Sequence, residues 1–269
     1  MAKFSNADKN QYEDKIKPYQ NKIVEINIKE KTTLLEMKKE PNEEALKRLI
    51  LVDEMLNLAS YQILISLISQ TCLKVKEENV LNEGRKSLYK SVIYLEEVVS
   101  NYVDAPFVDY EEKLAKIASL DSARRYYLVR KMGLAINLLE NAYGDNTKWR
   151  WAFVELEGRF AAVAKNIMDL KSAVTNTDPR SPNYEPTVFH LRMIKKLLNQ
   201  AADRYREKYE LSTNRTDDFK LGISFLASLR RIHVLMGDKD EAETVKKKLE
   251  IWTAKLETDI KRTETHKRV

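Results

Sequence analysis

The side chains best suited to chemistry in this 269-residue chain are three histidines, one cysteine and an arginine in apolar company. A metal centre in a helical bundle needs a Glu-x-x-His pair, a His-Glu-x-x-His run or clustered Cys and His. None of these spacings occurs around His190, His233 or His266. His190 shares a helical stripe with Ile194, Leu197 and Ala201, and His233 lies near Leu226, Leu229 and Met236. Each reads as a packed histidine with one hydrogen bond. Cys72 lies in an apolar run with no base or helix N-terminus beside it in sequence, so a buried inert thiol is expected. Six scattered glycines form no phosphate-cradling loop, no Gly-x-Ser-x-Gly turn occurs, and Glu96 and Glu97 point to different faces of a helix. The expectation is a protein that is not an enzyme, with no catalytic residues, no metal and no cofactor.

Arg125 is the exception to the bland pattern. At helical spacing it joins the face of Leu128, Val129, Met132, Ala135, Ile136, Leu139 and Tyr143. A guanidinium there must find a carboxylate, a helix end or a ligand anion. Asp121, four residues earlier, offers one partner, and Arg124 and Arg130 would join an anion or partner-carboxylate site. Trp149 and Trp151 form the second notable feature. Two positions apart on a helix, they would point about 160° away from each other. Behind Trp149 runs Phe153, Leu156, Phe160, Val163, Ala164 and Ile167; behind Trp151 run the small residues Gly158 and Ala162. A helix of this kind should pack two ways at once. Trp151, with Gly158 and Ala162 leaving a shallow slot, is expected either to pack between helices or to anchor a partner.

The elements that must hold these residues are helices. The chain has only six Gly and six Pro, and 33% of its residues are charged. The spacing predicts a helix from about Tyr19 to Lys39, after some 18 loosely docked residues, with Ile23, Ile26 and Leu34 inward. Pro41 ends it and starts the next. That helix contains Met55 to Leu73, nineteen residues without a charge. Seven of the nineteen are polar, and Gln62, Ser66, Ser69 and Gln70 share one stripe, so a buried central helix is expected and no membrane span.

Further helices are expected at about Asn79–Val103, Tyr110–Leu120, Asp121–Tyr143 (stopped by Gly144-Asp145), Thr147–Val174, Thr187–Leu211, Thr216–Met236 and Lys239–Arg262. Thr175 to Pro186, with three prolines, reads as a loop, and Asp238-x-x-Glu241 reads as a capping box. The fold class is therefore all-α, an antiparallel bundle or hairpin array of about nine helices. The break at Asp104-Ala105-Pro106-Phe107 divides it into an N-terminal bundle, residues 1–104, and a hairpin array, residues 105–269, or the two run on as one continuous domain.

The segment Phe225 to Trp252 resembles a tetratricopeptide repeat unit. With Gly237 as the turn glycine, Leu229 and Ala242 fall on the repeat's apolar and small positions. Arg230, His233 and the missing closing proline depart from the pattern, and no 34-residue self-similarity appears elsewhere. The resemblance covers about 30 residues and implies stacked hairpins that bind peptides or proteins. In architecture alone, nine antiparallel helices in a chain rich in acids and bases also resemble the 14-3-3 phosphopeptide adaptors.

The net charge of +6 is a small excess of 47 basic over 41 acidic residues. It is spread out, and Lys246-Lys247-Lys248 and Lys261-Arg262 carry no interleaved aromatics, so nucleic acid is not the expected partner. The N-terminus lacks the apolar stretch of a secretory signal, which makes the cytoplasm the expected location. Function is expected to be that of a protein- or peptide-binding scaffold, the alternative being a nucleic-acid or anionic-surface binder. Ala242, Val245, Leu249, Trp252 and Leu256 form a narrow seam that either closes the array or pairs two copies as a homodimer.

Overall fold

The computed structural model describes residues 6–144 and 147–267, with side chains from 7 to 262 among them. Asp145 and the side chain of His266 lie outside the described residues. Among those described there are ten α-helices and no strand. They form two compact units, neither continuous in sequence. The first takes residues 1–99, 115–119 and 127–150, and the second takes 100–114, 120–126 and 151–269.

In the first unit, α1 (Asn6–Lys39) and α2 (Glu44–Leu73) are joined through a short turn at Pro41–Glu43. Helix α1 starts well before Tyr19 and carries Pro18 inside it. Among the described early residues, Tyr12 and Ile16 are docked, not loose. Ile16 is buried, and the Tyr12 hydroxyl donates to Glu77 at 2.6 Å. Helix α2 lies at the centre, with Leu51, Val52, Met55, Leu56 and Ala59 fully buried. It is long and apolar enough to cross a membrane, yet within this unit its polar stripe is turned inward. Gln62 illustrates this, since its side-chain oxygen accepts from Ser87 of α3 (Glu78–Val99) at 2.9 Å. Leu88, Val92, Leu95 and Val99 of α3 are fully buried, as their spacing required.

The second unit is built around α6 (Arg150–Asn166). Around it are α7 (Leu170–Asn176), α8 (Tyr184–Lys208), α9 (Thr216–Met236) and α10 (Lys239–Lys267). The expected single helix from Thr147 to Val174 is interrupted. Asp169 caps a new helix by accepting from the amides of Lys171 and Ser172 at 3.0 and 3.3 Å. Trp149 precedes α6 in a turn, so the two tryptophans do not share a helix as expected. Helix α8 runs on through a π turn at Tyr209–Thr213, and Gly237, at φ +78°, closes α9. Tyr209 of the π turn stacks on Phe219 at 4.9 Å, and Phe219 meets Trp252 in a tilted contact at 5.6 Å, tying the end of α8 to α9 and α10. Ala242, Val245, Trp252 and Leu256 are buried and Leu249 packs on the same core, so the seam of α10 closes the unit. The Asp238 carboxylate is turned to Lys195 and His233, not into a capping box.

Two further helices complete the described chain. Helix α4 is the short Glu111–Ala115, and α5 is Ser122–Tyr143, ended by Gly144 at φ +75°. Residues 122–126 of α5 belong to the second unit and 127–143 to the first.

Candidate functional site

Helix α5 is apolar on more sides than one core can use. Val129, Met132, Ala135, Ile136 and Leu139 are buried in the first unit. Leu139 lies against Gly84 of α3, at 3.4 Å from where that glycine's Cβ would stand. Lys131 fixes the rotation of α5 about its axis, donating to Asp53 at 2.5 Å and to Asn57 at 2.8 Å on α2. With that rotation set, Tyr127, Leu134 and Leu138 face solvent, with exposures of 60, 59 and 42%. Their spacings of seven and four put them on one line, and Arg130 falls on it as well. Arg130 is exposed and has no ion pair among the described residues. The result is an outward stripe of aliphatic, aromatic and guanidinium groups, of which the tyrosine and the arginine are types enriched among the residues that dominate binding energy at protein interfaces.

Five of the six residues singled out in the sequence belong to the second unit, and Arg130 alone belongs to the first. Trp151 is half-buried and packs against the core of its unit. Gly158 and Ala162 are buried. A Cβ on Gly158 would stand 2.5 Å from Tyr205 Cε2 and 3.2 Å from Phe225 Cζ, so aromatic rings from α8 and α9 already fill the slot. Arg124 is exposed, and its backbone amide donates to Asp121 Oδ1 at 2.7 Å, as the helix start requires. Arg125 is buried and has found a helix end. Its Nε donates to Leu120 O at 2.8 Å and its Nη1 to Ile167 O, just past α6, at 3.1 Å. Burial lowers its pKa, and Asp169 and Asp121 oppose that shift.

The C-terminal end of α6 gathers several more buried polar groups of this unit. His190 Nε2 lies 2.9 Å from Ala164 O, and burial holds the imidazole neutral, with a pKa of about 4. Asn166 Nδ2 donates to Ser100 O and Tyr102 O, both at 3.0 Å, and Lys165 Nζ donates to Val103 O at 2.7 Å. Burial pulls the Lys165 ammonium down to about 8, against the pull of Asp104. These groups satisfy carbonyls that a helix end and an irregular segment would otherwise leave bare. Their work is structural: each donor is aimed at this chain's own backbone.

Cys72 differs from its expected burial. It is half-exposed, and Lys15 Nζ stands 3.7 Å from its sulfur.

Sequence reasoning missed Tyr127, Leu134 and Leu138. The signal was present, because the inward stripe through Val129, Met132 and Leu139 left these three large residues over on the opposite side.

No curated protein and no solved structure matches the chain. A family model matches from residue 8 to residue 260, nearly the whole of it, and the chain belongs to the TP0443 family.

Proposed function

We propose that this protein is a non-enzymatic scaffold that binds other proteins or peptides through the outer faces of its helices. The observation that carries the reading is the outward stripe of α5, where Tyr127, Arg130, Leu134 and Leu138 are presented by a helix locked through Lys131. The fitting partner is a polypeptide segment with aliphatic side chains for the two leucines and a carboxylate for Arg130. The α9–α10 hairpin turning at Gly237 supports an array of the tetratricopeptide-like kind. In this reading the chain is soluble and cytoplasmic, uses no cofactor, and keeps α2 as a core helix.

A photo-crosslinking residue at position 134 tests this, with one at exposed Glu83 as the control position. The reading expects a discrete adduct from position 134 in native cells, lost when Tyr127→Ala and Leu138→Ser are added. Adducts of the same pattern from both positions would sink it.

Anionic-surface binding is the second reading, favoured by one cluster in which cations meet aromatic rings. There Arg85 stands 4.1 Å over the Trp149 ring, with Lys148 at 5.6 Å. A salt titration separates the two readings, because phosphate contacts give a steep slope.

A further inference from the structure

Helix α1 carries a second apolar line on the side facing away from its buried one. Ile16, Ile26 and Met37 face the core, together with Glu30 and Thr33. Opposite them, Val24, Ile28 and Leu35 are exposed by 57, 60 and 60%. Lys17, Lys31 and Lys38 complete the line. The positions 17, 24, 28, 31, 35 and 38 are separated by seven, four, three, four and three residues, which is the heptad seam of a coiled coil. The seam extends over three heptads and about 33 Å.

Charge identifies what fits it. Three lysines that reach between the helices of this unit are paired: Lys29 with Glu54, Lys90 with Glu30 and Lys131 with Asp53. Lys17, Lys31 and Lys38 have no ion pair among the described residues. Glu13 stands at the N-terminal end of the line, four residues before Lys17, while around Lys31 and Lys38 the exposed carboxylates of α1, Glu25 and Glu36, lie on the flank where Lys29 reaches α2, and Glu25 is held by Lys22 at 2.7 Å. A second copy of this chain would bring three more uncompensated lysines into the seam. A bilayer surface would receive only three aliphatic side chains from this line, Val24, Ile28 and Leu35, with no aromatic residue among them. A helix with aliphatic residues on its seam and carboxylates beside them meets both requirements.

We propose that the outer face of α1 is a docking seam for an acidic amphipathic helix of a partner protein. This rests on the scaffold reading and assigns it a second surface and a partner chemistry. The test uses the full-length protein and two synthetic 24-residue helices with Leu and Ile on the seam, flanked in one by Glu and in the other by Lys. Fluorescence anisotropy should show binding of the Glu probe and not of the Lys probe. Ile28→Ser with Leu35→Ser should weaken that binding by about tenfold or more at an unchanged melting temperature. Reversing Lys17, Lys31 and Lys38 to Glu should transfer binding to the Lys probe, a gain that an unfolded variant could not give.

The proposal fails if the Glu probe does not bind, or if both probes bind alike. It fails equally if the double serine variant stays within about twofold of wild type. Binding of the protein to phosphatidylserine vesicles that the same double variant abolishes would assign the face to a membrane and overturn it. Loss of Glu-probe binding in Leu134→Ser with Leu138→Ser, but not in the α1 variants, would sink this seam while leaving the scaffold reading intact.

Discussion

Helices α5 and α6 both carry apolar residues on more than one side, and the two dispose of the surplus in opposite ways. In α6 the surplus face is made small by Gly158 and Ala162, and Tyr205 and Phe225 close over it. In α5 the surplus face is made of the large residues Tyr127, Leu134 and Leu138, which stay exposed to solvent. Size, more than hydrophobicity, decides which face becomes core. A small-residue face lets another helix approach closely, whereas a large-residue face must wait for a partner with a shape of its own.

That contrast can be broken most sharply at Phe225. Phe225→Ala should cost ~3–5 kcal/mol of stability by thermal or denaturant unfolding, as expected of a fully enclosed ring. A cost below ~1 kcal/mol would mean that α6 is not closed on that side.

Next in size is the acid response of His190. Its folded pKa of about 4 lies below the ordinary 6.5. Between these values the unfolded chain holds a proton that the folded chain lacks, so stability falls as pH drops from 6.5 to 4. The loss attributable to this group should reach up to about 3 kcal/mol. His190→Gln should remove it, measured as the difference between the two stability–pH curves. Parallel curves through that window would contradict the buried neutral imidazole.

Gly158→Ala comes third. The added methyl meets the rigid rings of Tyr205 and Phe225, and the expected cost is ~1–3 kcal/mol. A neutral result would show slack between α6 and α8.

The smallest stability effect belongs to α5. Leu134→Ser with Leu138→Ser should shift unfolding by no more than ~0.5 kcal/mol per site while abolishing partner capture. A large stability loss would place these leucines in a core after all.

Most of the fold was legible from spacing alone. The α3 stripe, the Pro41 stop, the Gly144 and Gly237 ends, and the polar stripe of α2 follow from periodicity and turn chemistry. The errors arose where a tertiary contact overrode local pattern. Tyr12 and Ile16 anchor a polar N-terminal segment that looked loose. Asp169 ends a helix that apolar spacing alone would have continued. The candidate residues show the same limit. Trp151, Arg125 and Gly158 are conspicuous by type, and conspicuous residues also make good cores. Whether a stripe is covered depends on neighbours that lie far away in sequence.

The discontinuity of the first unit bears on how the chain is made. Residues 1–99 leave the ribosome first, but the unit also needs 127–150, and 100–114 go to the other unit in between. Until α5 emerges, the patch around Gly84 that Leu139 covers has no lid. Translation at about 5–20 residues per second spends roughly 3–10 s on the intervening fifty or so residues. For that interval the face of α3 that Leu139 later covers stays open to solvent.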